Sequence, residues 1–290
     1  MRGLTPVAQG IVMMIGAIFL FSSMDAMAKA LGADYDPVQV VWARYAGQMA
    51  VVALLLAPRL HILMRTRHLG LQLLRSGFLF AATLCFFTSL GHLEIASATG
   101  VLNIHPVLLT LGAALILKET LGPRRVIGIG AALVGALLII RPGSDVFSLA
   151  SLLPLVAGLC YASYALTTRF LGRDEPILTS FLYTALIGTI VASLMVPAVW
   201  QTPPPWDAAR FVLLGAVGAA GQLLLIRSLT LAEAGVVAPF GYAGVIFATI
   251  YGVLFFGETP DPLSALGALV IVGAGVYVWH RETRARRAEA

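Results

Sequence analysis

Glu119-Thr-Leu-Gly-Pro123-Arg-Arg-Val-Ile-Gly128 and Glu258-Thr-Pro-Asp-Pro262-Leu-Ser-Ala-Leu-Gly267 are two copies of one pattern, Glu-Thr-x-x-Pro-x-x-x-x-Gly, set 139 residues apart. Each copy follows one apolar run and opens another. A second pair of segments lies far from the first. Ser23, Lys29, Leu31 and Gly32 recur as Ser163, Arg169, Leu171 and Gly172 at a shift of 140, and Pro37 then matches Pro176. Two anchors that share nearly one shift mark an internal duplication.

What is duplicated follows from the runs between the anchors. A membrane-spanning helix needs about 20 mostly apolar residues. Ten stretches qualify, near 7–31, 37–57, 71–92, 96–117, 123–140, 148–169, 176–199, 209–229, 234–256 and 262–280. They are continuously apolar, whereas barrel strands alternate over about 10 residues. The connections are short and rich in Gly, Pro and charge. Each half therefore holds five helices, an odd number, and the second half must lie upside down relative to the first. The expected fold is an all-α integral membrane protein of ten transmembrane helices: one repeat over 7–140, an inverted repeat over 148–280, and a basic cytoplasmic tail over 281–290.

Composition agrees. Hydrophobic residues make up 59% of the chain and charged residues 11%, against about 25% charged in a soluble domain. There is too little charge to cover a water-facing surface, so most of the exterior faces lipid. The net charge of +5 sits in short clusters between apolar runs, which is the positive-inside pattern rather than a nucleic-acid surface. With both termini cytoplasmic, 13 of the 19 basic residues fall on the inner side and only Arg141 and Arg210 outside. Lys29, Arg44, Arg75 and Arg227 fall within helices or at their ends. This places the chain in an inner (plasma) membrane as a multi-pass protein. Arg2, the following apolar run and Ala26-Met-Ala28 have the form of a secretory leader. The uncharged run from Gly3 to Met24 is longer than a leader core, and the duplication needs it as a helix, so it is read as retained. Cys85 and Cys160 both lie in apolar runs and form no metal or disulfide pattern.

These residues resemble the EamA-type members of the drug/metabolite transporter superfamily. The carrying segments are Asp25-Ala-Met-Ala-Lys29, Pro37-Val-Gln-Val-Val-Trp-Ala-Arg44, Leu-Lys-Glu119-Thr and its echo Gly-Glu258-Thr, over roughly residues 10–280. The resemblance implies two inverted EamA repeats around a central cavity. It also implies transport of metabolites such as amino acids, cofactor precursors or nucleoside-like compounds. Helix four carries Pro106 where the family pattern leads one to expect it. Helix nine has Gly241-Tyr-Ala-Gly244 at that place without a proline, so any bend there is assigned to glycine.

Ionisable side chains inside a membrane are costly and carry functional weight by default. Asp25 and Lys29 are four apart and share a helix face, and Arg44 comes in from helix two. Asp25 is expected to balance one of these cations, leaving positive charge for an anionic group of a solute. A purely structural ion pair between helices one and two carries equal weight. Asn103 and His105 flank Pro106, which frees backbone carbonyls. They line a cavity, with His105 as a proton carrier, or they make helix–helix hydrogen bonds. Tyr164, Gln222 and Tyr242, with Tyr161, are the polar candidates of the second half. Glu119 and Glu258 are read as caps of helices five and ten. Small residues on those helices (Gly128, Ala132, Gly135; Gly267, Gly273, Gly275) serve close packing or a dimer surface.

The sequence holds no nucleotide-binding Gly-x-x-x-x-Gly-Lys loop, no metalloprotease motif and no nucleophile elbow. The expected function is a secondary transporter of a small metabolite, working by alternating access and coupled to protons or to exchange, with no cofactor or metal. Its partners are the solute and membrane lipid, not nucleic acid, in a monomer or homodimer. The rivals are a membrane enzyme acting on a lipid-type substrate and a non-transporting membrane subunit.

Overall fold

The computed structural model describes residues 5–57, 60–117, 123–142, 148–171, 175–232 and 234–289. Glu119, Thr120 and Gly172 lie outside these residues, as does the side chain of Arg169. The described chain is helical and contains no strand. Its α-helices are α1 (Pro6–Leu31), α2 (Pro37–Leu56), α3 (Leu60–Leu63), α4 (Leu69–Leu90), α5 (Ile95–Leu102), α6 (His105–Leu117), α7 (Pro123–Ile140), α8 (Leu153–Leu171), α9 (Ile177–Met195), α10 (Pro205–Leu231), α11 (Ala234–Val237), α12 (Ala243–Tyr251) and α13 (Pro262–Glu289). Among the described residues, eight helical stretches are long and apolar enough to cross a membrane, and two shorter apolar helices, Val126–Ile140 and Pro262–Tyr277, accompany them. The segment read as a basic tail from residue 281 continues α13 as helix to Glu289.

Helix starts follow one chemical plan. Thr5 accepts from Ala8 N at 3.3 Å, and Asp36 from Val38 N at 2.8 Å, each just ahead of a proline. Asp261 accepts from Leu263 N at 3.0 Å ahead of Pro262. A short polar acceptor covers a free N–H, and proline occupies a position whose N–H has no helical partner. Glu258 is therefore not the cap of the last helix, as its place in the sequence led us to expect; Asp261 is.

Contacts between ends fix the helix directions. Lys29 meets Glu258 and Leu93, Tyr35 meets Asp207, Gln39 meets Gln201, and Arg141 meets Asp261. These lie together on the far side, where α1 ends. Ser228 donates to Gly10 O, and Tyr183 to Met64 O, on the near side, where α1 begins. α1, α4, α7, α9 and α12 thus run from near to far, and α2, α5–α6, α8, α10 and α13 return.

The packing repeats itself. α1 lies on α10 and α12; α8 lies on α4 and on α5–α6; α2 lies on α9 and α7 on α13. Exchanging α1 with α8, α2 with α9, α4 with α10, α5–α6 with α11–α12, and α7 with α13 maps these pairs onto one another. Two seams, α2–α10 and α7–α13, are glycine contacts. A Cβ on Gly47 would stand 2.5 Å from Gly215 Cα, and one on Gly267 would stand 2.6 Å from Gly135 O. The small residues of α7 and α13 thus pack on each other within the chain. Because backbone fills the space at Gly47, no side chain can swing aside. Gly215→Val is expected to cost about 1–3 kcal/mol or more through overpacking, read as a lowered midpoint of unfolding in detergent; an unchanged midpoint would show that α2 and α10 are free to part.

The Arg141–Asp261 pair closes the far end of the α7–α13 seam. Burial raises the Asp261 carboxyl, but hydrogen bonds from Ser264 and Arg141 outweigh it and hold the group at about 2, below its ordinary 3.8. A depressed carboxyl contributes stability that is present above its unfolded value and is lost as pH falls through the folded one. Acid sensitivity between about pH 4 and pH 2 is therefore expected in wild type and absent in Asp261→Asn, measured as unfolding midpoint against pH.

Candidate functional site

The site is built from two closures and a polar middle. On the far side, Lys29 Nζ lies 2.5 Å from Glu258 Oε1 and donates to Leu93 O at 2.6 Å. The other Glu258 oxygen accepts from Ile95 N at 2.9 Å, so Glu258 covers the first turn of α5 in the opposite half of the chain. The backbone aims it there. After α12 the chain makes a π-helical turn (Gly252–Phe256) closed by Glu258 N to Gly252 O at 2.9 Å, then reverses at Gly257, whose φ of 64° suits glycine.

Toward the near side, the side chain of Arg75 ties α4 to α8 and α9. Its Nε donates to Thr168 at 2.6 Å, Nη1 to Ser180 O at 2.9 Å and Thr184 at 2.8 Å, and Nη2 to Tyr164 at 2.7 Å. Arg75 is 4% exposed, and its guanidinium stands 4.5 Å from the Tyr164 ring centre. No carboxylate pairs with it among the described residues. Beside it, Gln72 donates to Ser180, while Gln72 Oε1 and Ser76 Oγ are buried without partners.

Between the closures lie Asp25 and Arg44. Asp25 is six residues from the end of α1 and Arg44 seven from the start of α2, so both sit about 10 Å below the far ends of their helices. Both keep partial accessibility. Arg44 Nη1 donates to Thr83 of α4, and its guanidinium lies 4.9 Å from the Tyr45 ring centre and 5.9 Å from that of Phe87. Asp25 forms no hydrogen bond or ion pair with any described residue. Lys29 pairs with Glu258 rather than with Asp25. His105 and Tyr161 complete the middle, ring centres 4.6 Å apart, with Tyr161 5.5 Å from Tyr164.

Pro106 acts as its chemistry requires. It removes the N–H that Leu102 O would have accepted four residues on, and His105 Nδ1 takes that carbonyl at 3.1 Å. The carbonyl only accepts, so Nδ1 carries the proton. Asn103 donates to Thr99 O at 2.8 Å. Both residues serve their own helix rather than bridging to another. In the second half, a short tight helix over Ala238–Tyr242 contains Pro239, and the helix breaks there; assigning that bend to glycine alone is corrected. Tyr242 packs on Gly275 of α13. Gln222 is partly accessible and has no partner among the described residues.

Arg75 was not among the residues selected from sequence. The signal was its isolation: it is the sole charge in the 22 residues of α4.

The chain is similar to known proteins along its whole length. The model of the EamA-like transporter family matches residues 8–141 and again 148–279. A riboflavin transporter of Vibrio cholerae is 28% identical, over 97% of this chain and 96% of that protein. The pseudopaline exporter CntI of Pseudomonas aeruginosa is 27% identical over 91% and 94%. An S-adenosylmethionine uptake transporter of Rickettsia bellii is 22% identical over 91% of each. A crystal structure superposes with a TM-score of 0.61 at 21% identity, covering 98% and 99% of the two chains, a likeness of fold alone. Two matched repeats over an all-helical, multi-pass bundle settle the class of the protein as a membrane transporter of small molecules. The chain belongs to the EamA-like transporter family, within the drug/metabolite transporter superfamily.

Proposed function

We propose that the chain is a secondary transporter of a small, partly aromatic metabolite, working by alternating access between two inverted five-helix repeats. The repeats are residues 7–140 and 148–280, ten spans in all. The single observation that carries this is a polar middle held between two hydrogen-bonded closures, each joining one half of the chain to the other. Lys29–Glu258 joins α1 to the segment before α13. Arg75 joins α4 to α8 and α9. A carrier must close one side before it opens the other, and two separate closures around one site meet that need.

The exchange of packed pairs between the halves supports the inversion, since two similar bundles of opposite direction have outward-open and inward-open shapes of comparable energy. Rings of His105, Tyr161 and Tyr164 favour a planar group. The relatives named above are named for riboflavin, pseudopaline and S-adenosylmethionine, which supports a small-molecule solute. The excess of basic residues on the near side supports cytoplasmic termini in an inner membrane. Coupling is to protons or to exchange.

The test is a thermal-shift screen of purified protein against amino acids, vitamins and nucleoside derivatives, followed by flux into proteoliposomes holding only this chain. Stabilisation by one class, weakened in Arg44→Ala, with saturable flux of that compound, is expected. Absence of flux for every stabilising compound would overturn transport.

A further inference from the structure

We propose that Arg75, with Gln72 and Ser76 on the same face of α4, is a receptor for a small monoanion, a carboxylate or an inorganic ion of like charge. The anion takes the guanidinium edge that ties α4 to α8 and α9, and so unties the near side. Binding at Arg75 stands without the transport reading. Only its consequence, that an anionic cargo opens the near side for its own passage, rests on that reading.

Gln72, Arg75 and Ser76 are spaced three and four apart, so they share one helix face, and all three are buried. Arg75 and Gln72 converge on Ser180 of α9, Nη1 on its carbonyl at 2.9 Å and Nε2 on its hydroxyl at 3.2 Å. Every described acceptor of Arg75 is neutral: Thr168, Tyr164, Thr184 and Ser180 O. These serve its donors and leave its charge. Arginine has five N–H donors. Four are spent, and one on Nη2 is left over. Ser76 Oγ has no partner, and neither has Gln72 Oε1. Turned end for end, the Gln72 carboxamide takes the Ser180 hydroxyl hydrogen on Oε1 and frees both N–H donors of Nε2. The face then offers donors from three side chains beside one uncompensated cation. Water would serve the donors and leave the charge. A monoanion serves both, and a dianion would replace one excess charge by another.

The same bonds say how the seam lets go. A carboxylate takes a guanidinium edge through two parallel hydrogen bonds. The Nη1–Nη2 edge is spent on Ser180 O and Thr184 of α9 and on Tyr164 of α8. An anion on that edge therefore replaces the ties to both helices, while Nε keeps Thr168. Thr184 goes on donating to Ser180 O at 2.8 Å, so the acceptors given up lose little. The other lysines and arginines whose side chains are described within helices differ. Lys29 has Glu258 and Arg210 has Asp207. Arg227 is exposed, and Arg44 is open enough for water to reach it.

In the test, the purified full chain in detergent is held at one ionic strength in a bulky sulfonate buffer. Sodium acetate and sodium chloride are the anion probes, and acetamide is the neutral counterpart of acetate. The readouts are the unfolding midpoint and hydrogen exchange of the α4 amides around Arg75. Acetate is expected to raise the midpoint, as a ligand of the native state does, and to quicken that exchange several-fold. Acetamide is expected to do neither. The rise is expected to vanish in Arg75→Met. Ser76→Ala leaves the four Arg75 bonds in place and covers the case in which Arg75→Met does not fold. It is expected to unfold at a higher temperature without anion, since a buried unpaired hydroxyl is gone, yet to need several-fold more acetate for the same rise. Acetate acting alone assigns the site to a carboxylate on the solute. Chloride acting, with or without acetate, assigns it to an inorganic anion. Either result supports the receptor. No rise with either anion, an equal rise with acetamide, or an acetate response unchanged in the variants overturns it. Exchange that acetate slows or leaves unchanged overturns the untying. Absence of flux with these results intact strikes transport and leaves the receptor standing.

Discussion

Replacing Glu258 by alanine is expected to cost about 3–5 kcal/mol, the penalty for leaving one member of a buried pair without its counter-charge, and to open the far side of the bundle to solvent. Lys29 and Glu258 side chains are 13% and 18% exposed, so bulk water screens them little. Glu258 does more than neutralise Lys29: it also covers Ile95 N. Lys29 keeps two weaker partners when the carboxylate is lost, Leu93 O and the Phe256 ring at 5.5 Å. Glu258→Ala should therefore destabilise more than Lys29→Met. The double variant should cost less than the two singles added, because the stranded charge is removed along with its partner. Exchanging the two residues should restore little, since a lysine at 258 offers Ile95 N no acceptor. The opening itself is read on Cys85, a free, half-buried thiol of α4. In a Cys160→Ala background its alkylation should quicken in Glu258→Ala. Strict additivity of the singles, or an unchanged alkylation rate, would reduce the latch to an ornament of the surface.

That latch also shows where sequence reasoning reaches its limit. The helices were legible because length and apolarity alone decide them, and most ends fall within a few residues of where the sequence places them. The kink in the fourth span was legible because Pro106 removes a specific bond. The kink in the ninth was misread because Pro239 sits at a different place in its repeat from Pro106. Glu258 was read as a cap because local physics favours a carboxylate before a helix. Its actual partners, Lys29 and Ile95 N, belong to the other half, and nothing in local spacing points to them. Asp25, Lys29 and Arg44 were all found as charges in apolar runs. How they pair was not, since Asp25 and Lys29 share a face yet, among the described residues, Lys29 is the one with an ion-pair partner. Tyr164 was found for its ring, while its hydroxyl serves Arg75. Glu119 and Arg169, the counterparts of Glu258 and Lys29 in the duplication, lie outside the described side chains.

Arg75→Lys is expected to be more destabilising than Arg75→Met, and both are expected to cut flux about tenfold, the effect of an imbalance of about 1.4 kcal/mol between the two open states. Retaining the charge is the worse choice here. The arginine fork reaches four acceptors on two helices at once, and each bond from a charged donor is worth about 1.5–3 kcal/mol. Together these outweigh the cost of about 2.5–3.5 kcal/mol of holding the charge in the membrane. A lysine keeps that cost but offers a single point of contact, and position 75 lies about 9 Å inside the start of α4, too deep for the ammonium to reach the near surface fully. A methionine removes the charge, fills much of the volume, and strands little. Thr168 still donates to Tyr164 O at 2.7 Å and Thr184 to Ser180 O at 2.8 Å, so Tyr164 alone loses its hydroxyl partner. What methionine does remove is the tie between α4 and the pair α8–α9. Gln72 Oε1 and Ser76 Oγ, unpaired while this seam is shut, gain water when it parts, which lowers the cost of opening further. Unfolding midpoints in detergent should rank wild type above Arg75→Met above Arg75→Lys. Thiol accessibility from the near side should rise in both variants. A lysine variant more stable than the methionine one would mean that charge, not the fork, holds the seam; unchanged near-side accessibility would mean that the seam does not move.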